Sequence, residues 1–293
     1  MENTIKRVAA IHDLSGFGRS SLTTIIPTLS TMGVQVCPLP TAILSNHTGG
    51  FETFSYVDLT DSMEDYIFHW KNIGIDFDCI YSGFLGSGRQ IDIVSQFIDD
   101  FRNDHCLVVV DPVMGDNGHL YASFTPNFIP LMRKLVAKAD IITPNLTEAA
   151  FLLGQKEVPS SITKEEALTW LHKLSELGPK MVVITSVPDS EDPTRTCVMA
   201  YDKESNTVWK LGCKYIPASY PGTGDTFASV MIGSLLNGDS LPVALDQAVQ
   251  FISQCIKASI GFNYPKRNGI LLERELDFLR SRPRISDFEI LSC

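Results

Sequence analysis

Two runs, Leu107-Val108-Val109-Val110 and Met181-Val182-Val183-Ile184, are apolar and mostly β-branched, without a polar break. A strand with one wet face alternates. A continuous run must be covered on both faces, the condition of a strand inside a parallel sheet. Parallel strands need crossover helices, and the chain supplies them. Apolar runs at Val8–Ile11, Val34–Leu39, Cys79–Tyr81, Leu107–Asp111, Ile141–Thr143 and Met181–Thr185 alternate with helical spacings at about 20–32, 61–73, 88–104, 126–138, 145–153 and 163–177. This predicts an α/β fold whose central, mostly parallel sheet is flanked by helices on both faces. Beyond residue 190 the pattern changes. Thr196–Tyr201 and Thr207–Leu211, joined by Asp202–Asn206, predict a small antiparallel hairpin, and helices at 223–237 and 241–261 follow. With no repeat, low-complexity stretch or linker, residues 1–293 are expected to form a single domain, its core at about 5–265 and a C-terminal helix and tail at 266–293.

Composition removes several function classes. The net charge is −10, and the basic clusters are short (Pro265-Lys266-Arg267; Arg280, Arg282, Arg284), which argues against nucleic-acid binding. No apolar stretch approaches the roughly 20 residues of a membrane span, and Met1–Asp13 turns polar too soon for a signal peptide. The seven cysteines are scattered and lack a Cys-x-x-Cys pair, so reduced thiols in a cytoplasm are expected, without disulfides or a zinc site. Cys37, Cys79 and Cys106 read as core packing, and His12, His69, His105, His119 and His172 as surface or satisfied core residues.

The most informative motif is Tyr220-Pro221-Gly222-Thr223-Gly224-Asp225-Thr226-Phe227. Phe227, Val230, Met231 and Leu235 mark one buried helix face, and Asn237-Gly238 stops it. The N–H groups of Gly222, Thr223 and Gly224 therefore lie at a helix start, which favours an anion. A carboxylate there suits a general base beside a phosphate in transfer. The ordinary alternative is a turn with an acid near a helix start. An acidic chain that handles phosphate also needs local neutralisation, which favours a divalent cation.

Three strand ends carry polar groups, where α/β sheets collect their sites. They are Asp111-Pro112-Val113-Met114-Gly115-Asp116, Thr143-Pro144-Asn145-Leu146-Thr147-Glu148 and Thr185-Ser186. Each also has a local reading: Asp111-Pro112 breaks a strand, and Asn145 with Glu148 makes a capping box. The segment Asp116–Phe124, polar and without apolar periodicity, reads as a short flap or an ordinary exposed loop.

Val110–Asp116, Ile142–Glu148, Val183–Ser186 and Gly222–Phe227 together resemble the ribokinase-like superfamily. Ser45-Asn46-His47-Thr48-Gly49 and Tyr81–Ser87 resemble its pyridoxal kinase branch. The resemblance runs from the first strand to about residue 265. It implies ATP-dependent phosphorylation of the 5′-hydroxymethyl group of the vitamin B6 vitamers pyridoxal, pyridoxine and pyridoxamine, usually in a homodimer. By match to the motif, Asp225 is the base and Gly222, Thr223 and Gly224 form the anion hole. Asp111, Asp116 and Glu148 would help hold hydrated Mg²⁺ on the nucleotide side, and the resemblance leaves room for a monovalent cation as a second cofactor. Asn145, Thr185 and Ser186 would line the nucleotide, while His47, Thr48 and Phe84 would meet the pyridine ring.

Two positions depart from the branch: Asp13 stands where a serine is usual, and Phe84 where a tyrosine is usual. Read as the residue after the first strand, Asp13 would face the vitamer and favour an amine or a protonated ring; otherwise it caps the Ser15–Gly18 turn. Two rival functions remain at this point. One is a hydroxymethylpyrimidine kinase of thiamin synthesis, a branch that typically carries cysteine at the position of Asp225. The other is a non-catalytic vitamer-binding or regulatory protein on the same fold.

Overall fold

The eight helices predicted between residues 20 and 261 all form in the computed structural model, which describes residues 5–189, 192, 194–280 and 285–291. In chain order the elements begin with β1 (Arg7–Ser15), α1 (Leu22–Thr31), β2 (Gln35–Leu44), β3 (Tyr56–Asp58), α2 (Thr60–Asn72) and β4 (Cys79–Ser82). Then come α3 (Gly88–Phe101), β5 (Leu107–Val110), β6 (Gly115–Asp116), β7 (His119–Leu120), α4 (Phe128–Val136), β8 (Ile141–Ile142) and α5 (Leu146–Leu153). The rest are α6 (Lys164–Ser175), β9 (Met181–Pro188), β10 (Arg195–Asp202), β11 (Thr207–Lys214), α7 (Thr223–Leu236), α8 (Leu241–Ile260) and β12 (Glu289–Leu291).

The chain divides into two compact units. The first comprises the chain up to Gly83, Asn103–Cys106 and Ile216–Ser286; the second comprises Phe84–Arg102, Leu107–Tyr215 and the chain from Asp287. In the first unit β4, β1 and β2 lie side by side and parallel, and β3 closes the edge antiparallel to β2. Helix α1 packs on β1, β2 and α7, and α7 packs on α8. In the second unit β5, β8 and β9 are parallel, whereas β10, β11 and β12 continue antiparallel. The α/β class and the β10–β11 hairpin are as expected.

Burial follows the pattern that predicted it. Val108–Val110 and Val182–Ile184 are at most 1% exposed, as are Val8–Ile11. Local chemistry sets the helix ends: Asn145 and Glu148 close a capping box on α5, Thr163 and Glu166 another on α6, and Ser87 caps α3. Cys79 and Cys106 are buried and Cys37 is half-buried; the described cysteines are free thiols. No helix among the described residues is long and apolar enough to cross a membrane.

Four short strands escaped the sequence. Strand β3 has three exposed residues and β12 pairs only through Val208, Trp209 and Lys210, so neither shows a period. Strand β7 lies inside Asp116–Phe124, and β6 ends on its first residue. Their turn is Asn117-Gly118, with φ of 52° and 81°, the type I′ signal that polarity alone concealed. This segment is pinned: Gly118 N–H donates to Thr147 Oγ1 at 3.0 Å and Tyr121 N–H to the Met114 carbonyl at 3.0 Å. Instead of one C-terminal helix, residues 266–280 form three short 3₁₀ turns. Residues 281–284, 292 and 293 of the expected tail lie outside the described residues.

Candidate functional site

Gly222 builds the start of α7. It sits at φ 78° and ψ 3° as the residue before the helix. Thr226 donates to its carbonyl through both N–H (3.0 Å) and Oγ (2.7 Å), closing the first turn. The N–H groups of Gly222, Thr223 and Gly224 precede that first bond and point out of the helix end. Gly224 is exposed, and a Cβ built on it would meet nothing within 4 Å. The helix end therefore combines free donors, the positive end of a dipole and room for an anion.

Asp225 leaves the same turn with its side chain 13% exposed. Its Oδ2 accepts the Ser21 N–H at 2.8 Å and, more weakly, the Ser20 hydroxyl at 3.5 Å. Burial pushes its pKa up to about 6, the Ser21 N–H pulls the other way, and the charge of Asp13 adds to the rise. Such a carboxylate is ionised at neutral pH yet basic enough to take a proton.

Ser21 is the residue that the sequence reading missed. It holds φ 50° and ψ −133°, a conformation that costs a side-chain-bearing residue on the order of 1–3 kcal/mol. Its N–H aims at Asp225, while its hydroxyl donates to Asp13 Oδ1 at 2.5 Å. Asp13 Oδ2 accepts from the Ser15 hydroxyl at 2.9 Å. Asp13 lies inside β1 rather than after it, is 5% exposed, and has both oxygens engaged by neighbouring serines. Burial raises its pKa above the usual carboxylate range, against the two serine hydrogen bonds.

His47 is also held from two sides. Its Nδ1 accepts the Gly49 N–H at 3.1 Å, so Nε2 carries the proton and donates to the Arg267 carbonyl at 2.7 Å. Burial lowers its pKa, and the ring stands edge-on to Phe51, itself covered by the Arg267 guanidinium. The neighbouring Thr48 is exposed.

His12, expected to be a surface or satisfied core residue, is neither. It is fully buried, and neither ring nitrogen completes a well-aligned hydrogen bond among the described residues, although the ring lies against the Tyr81 backbone. Its Nδ1 lies 3.9 Å from Asp225 Oδ1. A histidine closing the apolar run Val8–Ile11 was the available signal, as was the polar pair Ser20-Ser21 ahead of α1.

In the second unit Glu148 is 3% exposed and Asp111 is 8% exposed. Glu148 Oε1 accepts the Met114 N–H at 3.1 Å and Oε2 the Asn145 N–H at 3.0 Å. Its pKa stands well above the ordinary carboxylate value because of burial and the Asp111 charge. Asn145 donates to the Gly115 carbonyl at 2.9 Å and bridges in parallel to Thr185, where Ser186 turns outward at φ 56°. Two crowded carboxyls of this kind suit a hard cation that retains its waters. Asp116 is exposed, and its carboxylate is occupied by Asn117. No three metal-binding side chains form a ready cluster among the described residues. Phe84 is half-buried and tilted on Phe124 at 5.6 Å.

The family model described as phosphomethylpyrimidine kinase matches residues 22–270. A Bacteroides thetaiotaomicron protein provisionally named phosphomethylpyrimidine kinase, crystallised with pyridoxal, is 53% identical over 98% of this chain and 100% of its own, with a TM-score of 0.95. Pyridoxal kinase from Lactobacillus plantarum is 32% identical over 94% of this chain and 97% of its own, with a TM-score of 0.86. Pyridoxal kinase from Paraburkholderia xenovorans is 29% identical over 267 residues, covering 87% of this chain and 88% of that protein.

Proposed function

Because the chain belongs to the phosphomethylpyrimidine kinase family, we propose that it phosphorylates the 5′-hydroxymethyl group of vitamin B6 vitamers with ATP. The observation that carries this reading is Asp225: a desolvated carboxylate aimed by the Ser21 N–H, on the first turn of a helix whose end is open at Gly224. The likeness to two pyridoxal kinases, and to a relative that holds pyridoxal, supports the choice of acceptor. As the acceptor oxygen bonds to the γ-phosphorus, its proton passes to Asp225 and the bond from phosphorus to the bridging oxygen breaks, leaving ADP. The N–H groups of Gly222, Thr223 and Gly224 offset charge on the transferring phosphoryl group. Asn145, Thr185 and Ser186 serve the nucleotide. His47 fixes the Ser45–Gly50 segment, and Thr48 meets the vitamer ring. Asp13 enters as the brace of Ser21.

Asp111 and Glu148 would hold Mg²⁺, which when bound neutralises nucleotide charge. Exhaustive chelation should abolish turnover, and Asp111→Asn should raise the Mg²⁺ concentration needed for half-maximal rate about tenfold, as expected when a carboxylate acts through retained waters. Full activity after chelation, or an unshifted titration, would remove the metal assignment.

A second reading, phosphorylation of a hydroxymethylpyrimidine, is favoured by the description of the family model. Side-by-side turnover with pyridoxal, pyridoxamine, pyridoxine and hydroxymethylpyrimidine separates the two. A vitamer should have the highest kcat/KM; the pyrimidine ranking first would favour the second reading. No ATP consumption with any acceptor would identify a binding protein.

A further inference from the structure

An unpaired histidine in a dry interior is costly, because each buried donor or acceptor left without a partner forfeits its hydration. His12 carries two such atoms. Its ring has a fitted seat. It meets Tyr81 edge-on at 4.3 Å between centroids, and its Nδ1–Cε1 edge lies over Gly83, where an added Cβ would come within 2.4 Å of both atoms. This seat turns Nδ1 toward Asp225 Oδ1, 3.9 Å away. That oxygen accepts no hydrogen bond among the described residues, whereas Oδ2 is held by Ser21 and Ser20. An ionised carboxylate only accepts, so the tautomer that faces it has the proton on Nδ1.

From this juxtaposition we infer that His12 is a positioning residue for the base: its Nδ1–H closes on Asp225 Oδ1 when the carboxylate is ionised, and so fixes the second oxygen that Ser21 leaves free. This deepens the kinase reading and rests on it for the role of Asp225. Burial lowers the imidazole pKa to about 3, against the opposing pull of the Tyr81 backbone, and so holds the ring neutral; it donates a hydrogen bond without bringing a charge. The titratable groups facing Asp225 are His12 and Asp13 on β1; Tyr81 on β4 faces His12, and His47 acts on Asp13.

Two substitutions test the inference. His12→Leu keeps the bulk and removes the donor; His12→Asn places an amide N–H near the position of Nδ1. A donor to the ionised base lowers the pKa of that base, so its loss should move the acid limb of kcat/KM upward by about one unit in His12→Leu and cut kcat about tenfold with KM little changed. His12→Asn should restore most of both. Equal losses in the two variants, with an unmoved acid limb, would show a packing role and overturn the inference. The same shift is readable without turnover, as the titration of the Asp225 carboxyl ¹³C resonance, assigned by its absence from Asp225→Asn. A wild-type chain inactive on every acceptor would sink the kinase reading, while an Asp225 titration unchanged in His12→Leu would sink only this one.

Discussion

Asp225→Asn is expected to lower kcat by about 10²–10⁴-fold, the usual contribution of a positioned general base, while nucleotide and vitamer affinities stay nearly unchanged. The same variant should be more stable than the wild type at pH 8. The sign follows from the raised pKa. An acid that titrates near 3.8 when unfolded and at about 6 when folded stabilises the fold in its neutral form. That stabilisation is complete below about pH 4 and disappears as pH rises through about 6. Above that point the fold carries the whole penalty of a desolvated charge, up to about 3 kcal/mol at 1.36 kcal/mol per pKa unit. The 13% exposure of the side chain makes this an upper bound. Asparagine removes the charge and keeps an acceptor for the Ser21 N–H, so the melting temperature should rise by several degrees at pH 8 and by much less at pH 4. Loss of turnover with gain of stability is the mark of a group retained for chemistry. If kcat stayed above about a third of the wild-type value, Asp225 would be a helix-start acid and nothing more.

The legible parts of this site were those that chemistry confines to one stretch of chain. Gly222–Asp225 declares itself because a glycine, an open helix end and an acid must be consecutive. Asn145 and Glu148 are a capping box three residues apart, and the structure forms it. Ser21 and His12 were not legible, since what matters about them is a distance across the fold. Ser21 is 204 positions from the carboxylate that its N–H meets, and no local pattern announces a left-handed serine. His12 looked like the polar end of a strand. Its importance comes from β1 running on to Ser15 instead of stopping at Ile11, which draws His12 and Asp13 into the sheet. The extension was hidden because a buried polar residue in a strand breaks the apolar signal that marks strands. The placement of Asp13 after the first strand failed for the same reason: β1 runs through it, and its oxygens meet Ser15 and Ser21.

Gly222→Ala should be the most damaging single-methyl change in the first unit. The residue lies at φ 78°, and a Cβ would stand 2.1 Å from the Arg19 carbonyl oxygen and 2.9 Å from its carbon. Both obstacles are backbone, so no side chain can swing aside. The strained φ contributes about 1–2 kcal/mol and the overlap a similar amount, for a loss of about 3 kcal/mol. Relief requires the Arg19–Ser21 segment to move, and that segment carries the N–H that aims Asp225. Turnover should therefore fall by about 10²-fold in the protein that remains folded, as expected when a reacting group is displaced by about an ångström. Because both changes disable one base, the double variant with Asp225→Asn should be barely slower than Asp225→Asn alone. Gly224→Ala provides the contrast. Its Cβ enters open space, and alanine in place of glycine in a helix is worth up to about 1 kcal/mol, so stability should hold or rise. Its methyl group would nonetheless stand at the mouth of the anion hole, and kcat should drop. Two neighbouring glycines, one failing through the fold and the other only through the reaction, would separate the scaffold of this helix end from its chemistry. Parallel losses of stability and rate in both variants would mean that the Gly-Thr-Gly turn is only a turn.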